Sequence, residues 1–198
     1  MLICCPEGFL QAGVDEAGRG PIAGPVVAAA VILPSDFRDE RIQDSKKMTE
    51  RVRLDVEPMI KSAAVAWSVA FVSEEEIDRV NILSATFLAM ERAIRGLGVT
   101  PEELLIDGNR FRSSLLIPYT TVVGGDNKHL NIAAASILAK NARDRYMREL
   151  HSQHPEYCWD TNSGYPTAKH LEAIAEFGIT PHHRKTFKGV REWVGGLF

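Results

Sequence analysis

The sequence predicts an α/β protein: a mixed sheet of about five strands flanked by helices, followed by a small helical appendage. Three observations carry that reading. Five short apolar runs of strand length fall within the first 125 residues. Between and after them, capping residues precede apolar residues spaced three or four apart, the signature of helices with one buried face. Near residue 152 the composition shifts, so residues 1–151 read as the body and 152–198 as the appendage.

The elements follow in order. Phe9-Leu10-Gln11-Ala12-Gly13-Val14 reads as a short strand. Pro25 to Leu33 is rich in valine and alanine and is stopped by Pro34, which predicts a buried strand hairpinned with the first. Thr49 can cap a helix beginning at Glu50, and Pro58 is expected to kink or end it. Ala64 to Val72 alternates as a third strand. Ser73 and Glu76 form a capping-box pattern before a short helix, and Asn81 starts a longer one that Gly98 is expected to end. Leu104-Leu105-Ile106-Asp107-Gly108 reads as a strand ending at a carboxylate, and Tyr119 to Val123 as another that runs into Gly124-Gly125-Asp126. Asn131 to Leu150 is a long helix with Ile132, Ala135, Ser136, Ala139, Ala142 and Tyr146 along one side. Ser152 to Gly164 reads as loop. Thr167 caps a final helix that Gly178 ends, and the last segment is basic and irregular, with Trp193 to Phe198 either a docking tail or a frayed end.

Bulk properties narrow the class. Of 198 residues, 45% are hydrophobic and 25% charged, the balance of a globular protein that can bury a core without a disulfide or metal staple. Cys4, Cys5 and Cys158 make no CxxC motif and no disulfide framework, which fits a reducing cytoplasm. No stretch approaches the ~18 uninterrupted apolar residues of a membrane span. A net charge of −3 argues against a surface coated in positive charge for non-specific DNA binding, though not against a local basic groove.

The chemistry concentrates in Asp15-Glu16-Ala17-Gly18-Arg19-Gly20, where two adjacent carboxylates run into a glycine-bracketed arginine. Carboxylates suit Mg²⁺ or Mn²⁺, and glycines let backbone N–H groups approach a phosphate or sugar closely. Asp15, Asp107 and Asp126 share a position type, the C-terminal end of a predicted strand, where open α/β sheets commonly hold ligands. Four carboxylates converging there would repel by on the order of several kcal/mol unless cations neutralise them. Two divalent ions would do so and could clamp both oxygens of a phosphodiester displacement. Neighbours such as Asp15 and Glu16 point to opposite faces of a regular strand, so both serve one site only if the strand ends or bulges there. Taken singly, each aspartate is more simply a turn former.

Arg19, Lys46 and Lys47 lie on predicted loops near these acids and could meet phosphates; either lysine alone reads equally as solvated surface charge. Positive residues, Arg184 among them, are modestly enriched toward the C-terminal half. Gly164-Tyr165-Pro166-Thr167 puts an aromatic ring just before a helix N-terminus, where it could stack on a sugar or base or simply pack the helix entry. His151 and His154 have one-face helical spacing but no evident third zinc ligand. No GxxxxGK[ST] phosphate loop exists. These residues leave open a junction resolvase or integrase-type nuclease, a non-catalytic hybrid-binding module, and a structural α/β domain without a site.

Taken together the motifs resemble one family, the type 2 ribonucleases H (ribonuclease HII). Asp15 to Val27, DEAGRGPIAGPVV, is similar to its opening signature, and Asp44-Ser45-Lys46-Lys47 to its DSKK loop. Ile106-Asp107-Gly108 and Gly125-Asp126 with Lys128 resemble its third and fourth acidic motifs. Ile132 to Lys140 with Arg143-Asp144-Arg145 resembles its long helix, and Gly164 to Thr167, His170-Leu171 and Pro181 to Phe187 its tail.

The resemblance implies a ribonuclease H-like fold and an endonuclease. It would cut 5′ of a ribonucleotide, both in RNA–DNA hybrids and at ribonucleotides embedded in duplex DNA, as in ribonucleotide and RNA-primer removal. It implies that Asp15, Glu16, Asp107 and Asp126 hold two Mn²⁺ or Mg²⁺ ions and catalyse. It implies that Gly18, Arg19 and Gly20 sense the 2′-hydroxyl, that Tyr165 stacks on the sugar following the ribonucleotide, and that Lys46, Lys47 and Arg184 join the substrate contacts. A monomer is implied as well. Two departures stand out. Cys158 to Gly164 lacks the basic pair frequent before the tail tyrosine, and Lys185 and Thr186 stand where Arg and Ser are common.

Overall fold

The computed structural model describes residues 2–43, 45 and 47–195. Five strands form one sheet: β1 (Gln11–Ala17), β2 (Val26–Ile32), β3 (Ala66–Val72), β4 (Glu103–Asp107) and β5 (Tyr119–Val122), in the order β3-β2-β1-β4-β5. β1, β2 and β3 pair antiparallel as the predicted hairpin and its extension. β4 and β5 add in parallel on the other side of β1. Six helices complete the fold: α1 (Glu50–Ala63), α2 (Glu74–Val80), α3 (Ile82–Arg95), α4 (Leu130–Gln153), α5 (Trp159–Asn162) and α6 (Ala168–Phe177).

Helices cover both faces of the sheet, which is why β2 is buried along its whole length and reads as an unbroken apolar run. Its even positions, Ala28 and Ala30, face α3 with Val14 and Ile106. Its odd positions, Ala29 and Val31, face α1 and α4 with Val56, Ile60, Ala134 and Leu138. Small residues let α4 come very close. A Cβ on Gly13 would sit 2.2 Å from the Asn131 carbonyl carbon, so only glycine fits under the helix start. Asn131 then fixes the contact, accepting from the Leu33 N–H (3.2 Å) and donating to the Gln11 carbonyl (2.6 Å). The first ten residues of α4 are buried all round, not along one side as the periodicity predicted. Sheet, β1–β2 hairpin and α1 together enclose them.

Three local expectations change. Pro58 does not end α1, which continues to Ala63. Pro58 and Leu54 are exposed, so the carbonyl that loses its helical donor turns to water. α3 stops at Arg95 with Gly96 as its cap, and Gly98, at φ +73°, belongs to the following turn. The segment read as loop from Ser152 to Gly164 holds the end of α4, a 3-10 turn and the one-turn α5. Trp159 drives this, being fully buried against Tyr157, Ile174 and Val190 in a small separate core. That core also contains Ile22, Ala23, Met147 and Leu150, so the C-terminal segment closes over the loop between β1 and β2 and over the end of α4.

α1 and α4 are cross-tied by Glu57, which is 5% exposed. It takes both guanidinium nitrogens of Arg145 (2.8 and 2.9 Å), Lys61 (2.6 Å) and Asn141 (2.9 Å). Burial alone would push this carboxyl up, but the donors outweigh it and hold the pKa down at about 2. The stabilisation is therefore full above the ordinary carboxylate pKa near 4.5 and disappears as pH falls toward 2. Glu57→Gln should lower the melting temperature at pH 7 by a few degrees and flatten its decline between pH 4.5 and 2, measured by thermal denaturation across that range.

Candidate active site

β1 and β4 run parallel in a register that pairs Gln11 with Glu103 and Val14 with Ile106. One step further along that register stand Asp15 and Asp107. The turn after β5 completes the group. The Gly125 amide donates to Asp107 Oδ1 at 2.7 Å, and the next residue, Asp126, is 3% exposed. Asp15 and Asp107 thus lie close enough at the C-terminal edge of the sheet for the charge of one to bear on the other, and Asp126 follows directly on the amide that holds Asp107.

Each carboxylate has protein donors. Asp15 accepts from the Glu16 amide (2.7 Å) and from the Ser136 hydroxyl, which is 2.9 Å from Ser45 Oγ. Asp126 Oδ1 accepts from the Asn127 side-chain amide at 3.1 Å, and Asn127 Oδ1 accepts from Lys47 Nζ at 2.6 Å. The strand does not end between Asp15 and Glu16, one of the two ways the sequence allowed both to serve one site, yet Glu16 stays near enough for its charge to bear on Asp15. It continues to Ala17, with Asp15 opposite Ala29 on the α4 face and Glu16 opposite Ala28 on the other. The Glu16 carboxylate meets Arg19 at 3.2 Å.

Burial, then the negative charges of Glu16 and Asp107, push the Asp15 carboxyl well above the usual carboxylate range. That upward push is the mark of negative charge lacking a counter-ion. Among the described residues, no three Asp, Glu, His or Cys side chains are close enough as they stand to close a coordination shell. The donor chemistry nevertheless fits a hard divalent cation: every candidate ligand is a carboxylate oxygen, and a cation would relieve the charge that Asp15 cannot share with water.

The loop from Gly18 to Pro25 is shaped from beneath by two arginines, each at most 1% exposed and each bonded only to backbone carbonyls. Arg184 donates to Gly18 (2.6 Å), Arg19 (3.1 Å) and Gly24 (2.8 Å). Arg143 donates to Pro25 (3.0 Å), Ala23 (3.1 Å) and Ser163 (2.9 Å). Burial lowers their pKa values, to about 9 for Arg184 and about 10 for Arg143, so both stay cationic at neutral pH. Buried Glu74 supplies negative charge to both without touching either, and its Oε1 lies 3.7 Å from His182 Nδ1. Gly18 is forced on two counts: φ is +94°, and a Cβ would stand 2.1 Å from Arg143 Nε.

Tyr165, 48% exposed, lies over Gly20, with its ring edge 3.2 Å from where a Gly20 Cβ would be. The structure therefore brings together two features that the sequence presented separately, the Gly18-Arg19-Gly20 loop and the tail tyrosine. The seam between them is backbone. Ile22 N–H bonds to the Gly164 carbonyl (2.8 Å), Gly24 N–H to His182 (2.9 Å) and Arg184 N–H to Ile22 (2.8 Å).

The basic candidates separate on inspection. Arg184 was expected to touch substrate; it is fully buried and acts on the loop from below, because three carbonyls need its fork-shaped donor array. Arg19 is exposed, and Lys47 is linked to Asp126 through Asn127. Lys46 and the neighbouring Asp44 lie outside the described residues, as do Gly196 to Phe198 of the tail. Sequence reading missed Ser136, Asn127 and the clamp role of Arg143. Ser136 was visible as a polar residue on an otherwise apolar helix stretch, and Arg143 only as one basic residue among several. The two departures have structural uses. Trp159 fills the small core, and Thr186 keeps a hydroxyl that donates to Asp78 Oδ1 at 2.6 Å.

Comparison with known proteins agrees with this geometry. The family model for Ribonuclease HII matches residues 12–190. A Ribonuclease HII of Parabacteroides distasonis is 60% identical over 180 residues, covering 91% of this chain and 90% of that protein. Among solved structures, the ribonuclease H2 of Pyrococcus horikoshii OT3 superposes with a TM-score of 0.78 at 25% identity, covering 93% of this chain and 96% of that one. Bst-RNase HIII in complex with Mn²⁺ shares the fold, with a TM-score of 0.76 at 18% identity, covering 95% and 70%.

Arg184→Lys retains the charge but cannot serve three carbonyls at once. Amide hydrogen exchange should quicken at least about tenfold across residues 18–24, given about 1.5–3 kcal/mol per charged hydrogen bond, while β2 stays protected. Unchanged protection of the loop would remove Arg184 from this role.

Proposed function

We propose, from the premise that this chain belongs to the ribonuclease HII family and so has ribonuclease H activity on RNA–DNA hybrids, that it also cuts at single ribonucleotides embedded in duplex DNA. The bond broken is the phosphodiester 5′ of the ribonucleotide, leaving 5′-phosphate and 3′-hydroxyl ends. The observation that carries this reading is the side-by-side placement of buried Asp15 and half-buried Asp107 on adjacent parallel strands, one loop away from Gly18-Arg19-Gly20.

In this reading Asp15, Glu16, Asp107 and Asp126 hold two divalent ions, Mn²⁺ or Mg²⁺. When bound, such ions supply a water of lowered pKa as nucleophile and stabilise the leaving 3′ oxygen. The protein's own part is placement. Ser136 and the Glu16 amide aim the Asp15 carboxylate, and the Gly125 amide aims that of Asp107. The backbone groups of Gly18, Arg19 and Gly20, pinned by Arg184, meet the 2′-hydroxyl as a hydrogen-bonding group, the one feature that separates RNA from DNA at that position. Tyr165 stacks on the sugar of the next nucleotide. Arg19 and Lys47, with Lys46, face the phosphates, and residues 152–198 form the second wall of the substrate groove. The enzyme works as a monomer in ribonucleotide and RNA-primer removal. A cytoplasmic setting is supported by three free thiols, Cys4, Cys5 and Cys158.

A duplex with one ribonucleotide, an all-RNA hybrid and an all-DNA branched duplex, each assayed in Mg²⁺ and in Mn²⁺, test the reading. The first two should be cut and the third left intact; cleavage of the branched DNA would instead support a resolvase-like enzyme. Asp15→Asn should lower cleavage at least about a thousandfold in either metal. Tyr165→Ala should lower kcat/KM on the one-ribonucleotide duplex about tenfold, the worth of a lost stacking platform.

A further inference from the structure

Beneath Tyr165 lies a pair of fully buried histidines that the proposed chemistry does not use. His183 Nε2 and His170 Nε2 are 3.1 Å apart. His170 Nε2 also accepts from the Trp159 indole N–H at 3.0 Å, and His170 Nδ1 is 2.9 Å from the Tyr165 carbonyl. His183 Nδ1 accepts from the Thr180 amide N–H at 3.0 Å, with Thr180 Oγ1 also at 3.0 Å.

These contacts admit only one arrangement of protons. A backbone N–H can only donate, so His183 Nδ1 is an acceptor and Nε2 carries the hydrogen. Trp159 can only donate, so His170 Nε2 is an acceptor, and it receives the His183 hydrogen as well. A carbonyl can only accept, so His170 Nδ1 carries the hydrogen that reaches Tyr165. The order is Thr180 N–H to His183, His183 to His170, and His170 to the Tyr165 carbonyl, with every ring nitrogen satisfied and no charge. A proton added to either ring would aim a donor at a donor.

The surroundings agree. Burial first, and then the neighbouring His170, hold His183 down at about 3, and burial also lowers His170. The groups facing the pair are the Tyr157 and Trp159 rings, 4.9 and 5.4 Å from His183, together with His182 and His154. Beyond them, Glu74 lies on His182 and Glu156 on His154. None of these acids reaches the histidine pair to favour its protonation.

We propose that His170 and His183 are positioning residues: a relay of fixed tautomers that sets the Tyr165 backbone, and with it the ring lying over Gly20, for recognition of the nucleotide that follows the ribonucleotide. The same segment carries a second tie to the loop, because Ala23 and His183 form an isolated antiparallel bridge. A shift of His183 therefore moves both walls of the contact between Tyr165 and Gly20. This inference rests on the proposed role of Tyr165.

The first test needs no activity. Two-bond ¹⁵N–¹H correlation spectra of the full-length, ¹⁵N-histidine-labelled protein should show His170 neutral with hydrogen on Nδ1 and His183 neutral with hydrogen on Nε2, from pH 8 down to pH 6. A protonated ring at pH 6, or the opposite tautomer at either residue, overturns the relay.

The second test compares two variants. His183→Gln retains a donor at the Nε2 position; His183→Phe retains the ring but neither polar atom. His183→Phe should cut the preference for the one-ribonucleotide duplex over the all-RNA hybrid at least about tenfold, mainly through KM, with hybrid cleavage within about threefold of wild type. His183→Gln should restore the preference. A folded His183→Phe protein with unchanged preference overturns the proposal; should that variant not fold, the spectra of the wild type decide alone. Failure of the wild type to cleave either substrate would instead defeat the proposed function and leave the tautomer result standing.

Discussion

The structure depends on a concentration of negative charge that the fold itself creates. The parallel register of β1 and β4 sets Asp15 beside Asp107, and burial under α4 withdraws water from Asp15. Burial, and then the charges of Glu16 and Asp107, disfavour ionisation of Asp15 and push its carboxyl up. A core built only for stability would not retain them, because apolar residues of similar size would pack there at lower cost. The proposed function accounts for them: a cationic ligand bound there would repay the repulsion. The hydroxyl of Ser136 and the amides of Glu16 and Gly125 hold the carboxylates meanwhile, and none of these donors carries a charge that would compete with a cation.

The loop beside the acids solves the reverse problem. Arg143 and Arg184 are buried cations without a direct acidic partner, an arrangement that costs free energy unless backbone dipoles compensate. Six carbonyls do so, five of them on residues 18–25 and the sixth on Ser163. Had either arginine paired with a carboxylate, its donors would have been consumed and the loop left free. Glu74 balances charge at a distance and leaves the hydrogen bonds to the loop. The outcome is a loop whose carbonyls are held by two buried cations, which lowers the cost of ordering it for any ligand it meets.

Legibility in the sequence followed locality. The five strands, the capping box at Ser73 and the caps at Thr49 and Thr167 are encoded within a few residues and could be read directly. The acids could be placed because each follows a strand-like run. What escaped were the features set by distant partners. Pro58 persists inside α1 because its freed carbonyl faces solvent, a property of exposure rather than of local pattern. Arg184 looks like any tail cation until Gly18 and Gly24 are seen above it, some 160 positions earlier in the chain. Trp159 turned a polar-looking stretch into a packed core. Among the histidines spacing singled out only His151 and His154, weighed as zinc ligands, and gave no sign of the pair His170 and His183, which distant packing brings together.

These long-range ties bear on how the site forms. The Gly18 to Pro25 loop has few contacts of its own; its shape comes from Gly164, His182 and Arg184, supplied by the C-terminal segment. That segment in turn lacks a complete core until Ile22, Ala23 and Met147 enter it. Each completes the other, and joining them closes a very long stretch of chain at its entropy cost. The acids belong to a different unit, the sheet with α4, whose hairpin and parallel pairings do not involve the tail. The same 13-residue signature, Asp15 to Val27, thus contributes its carboxylates to one packed unit and its glycines to another. Under the proposed function, loosening the appendage disturbs the loop assigned to the 2′-hydroxyl before it disturbs the carboxylates, so a defect in selectivity would arise without a defect in the acids.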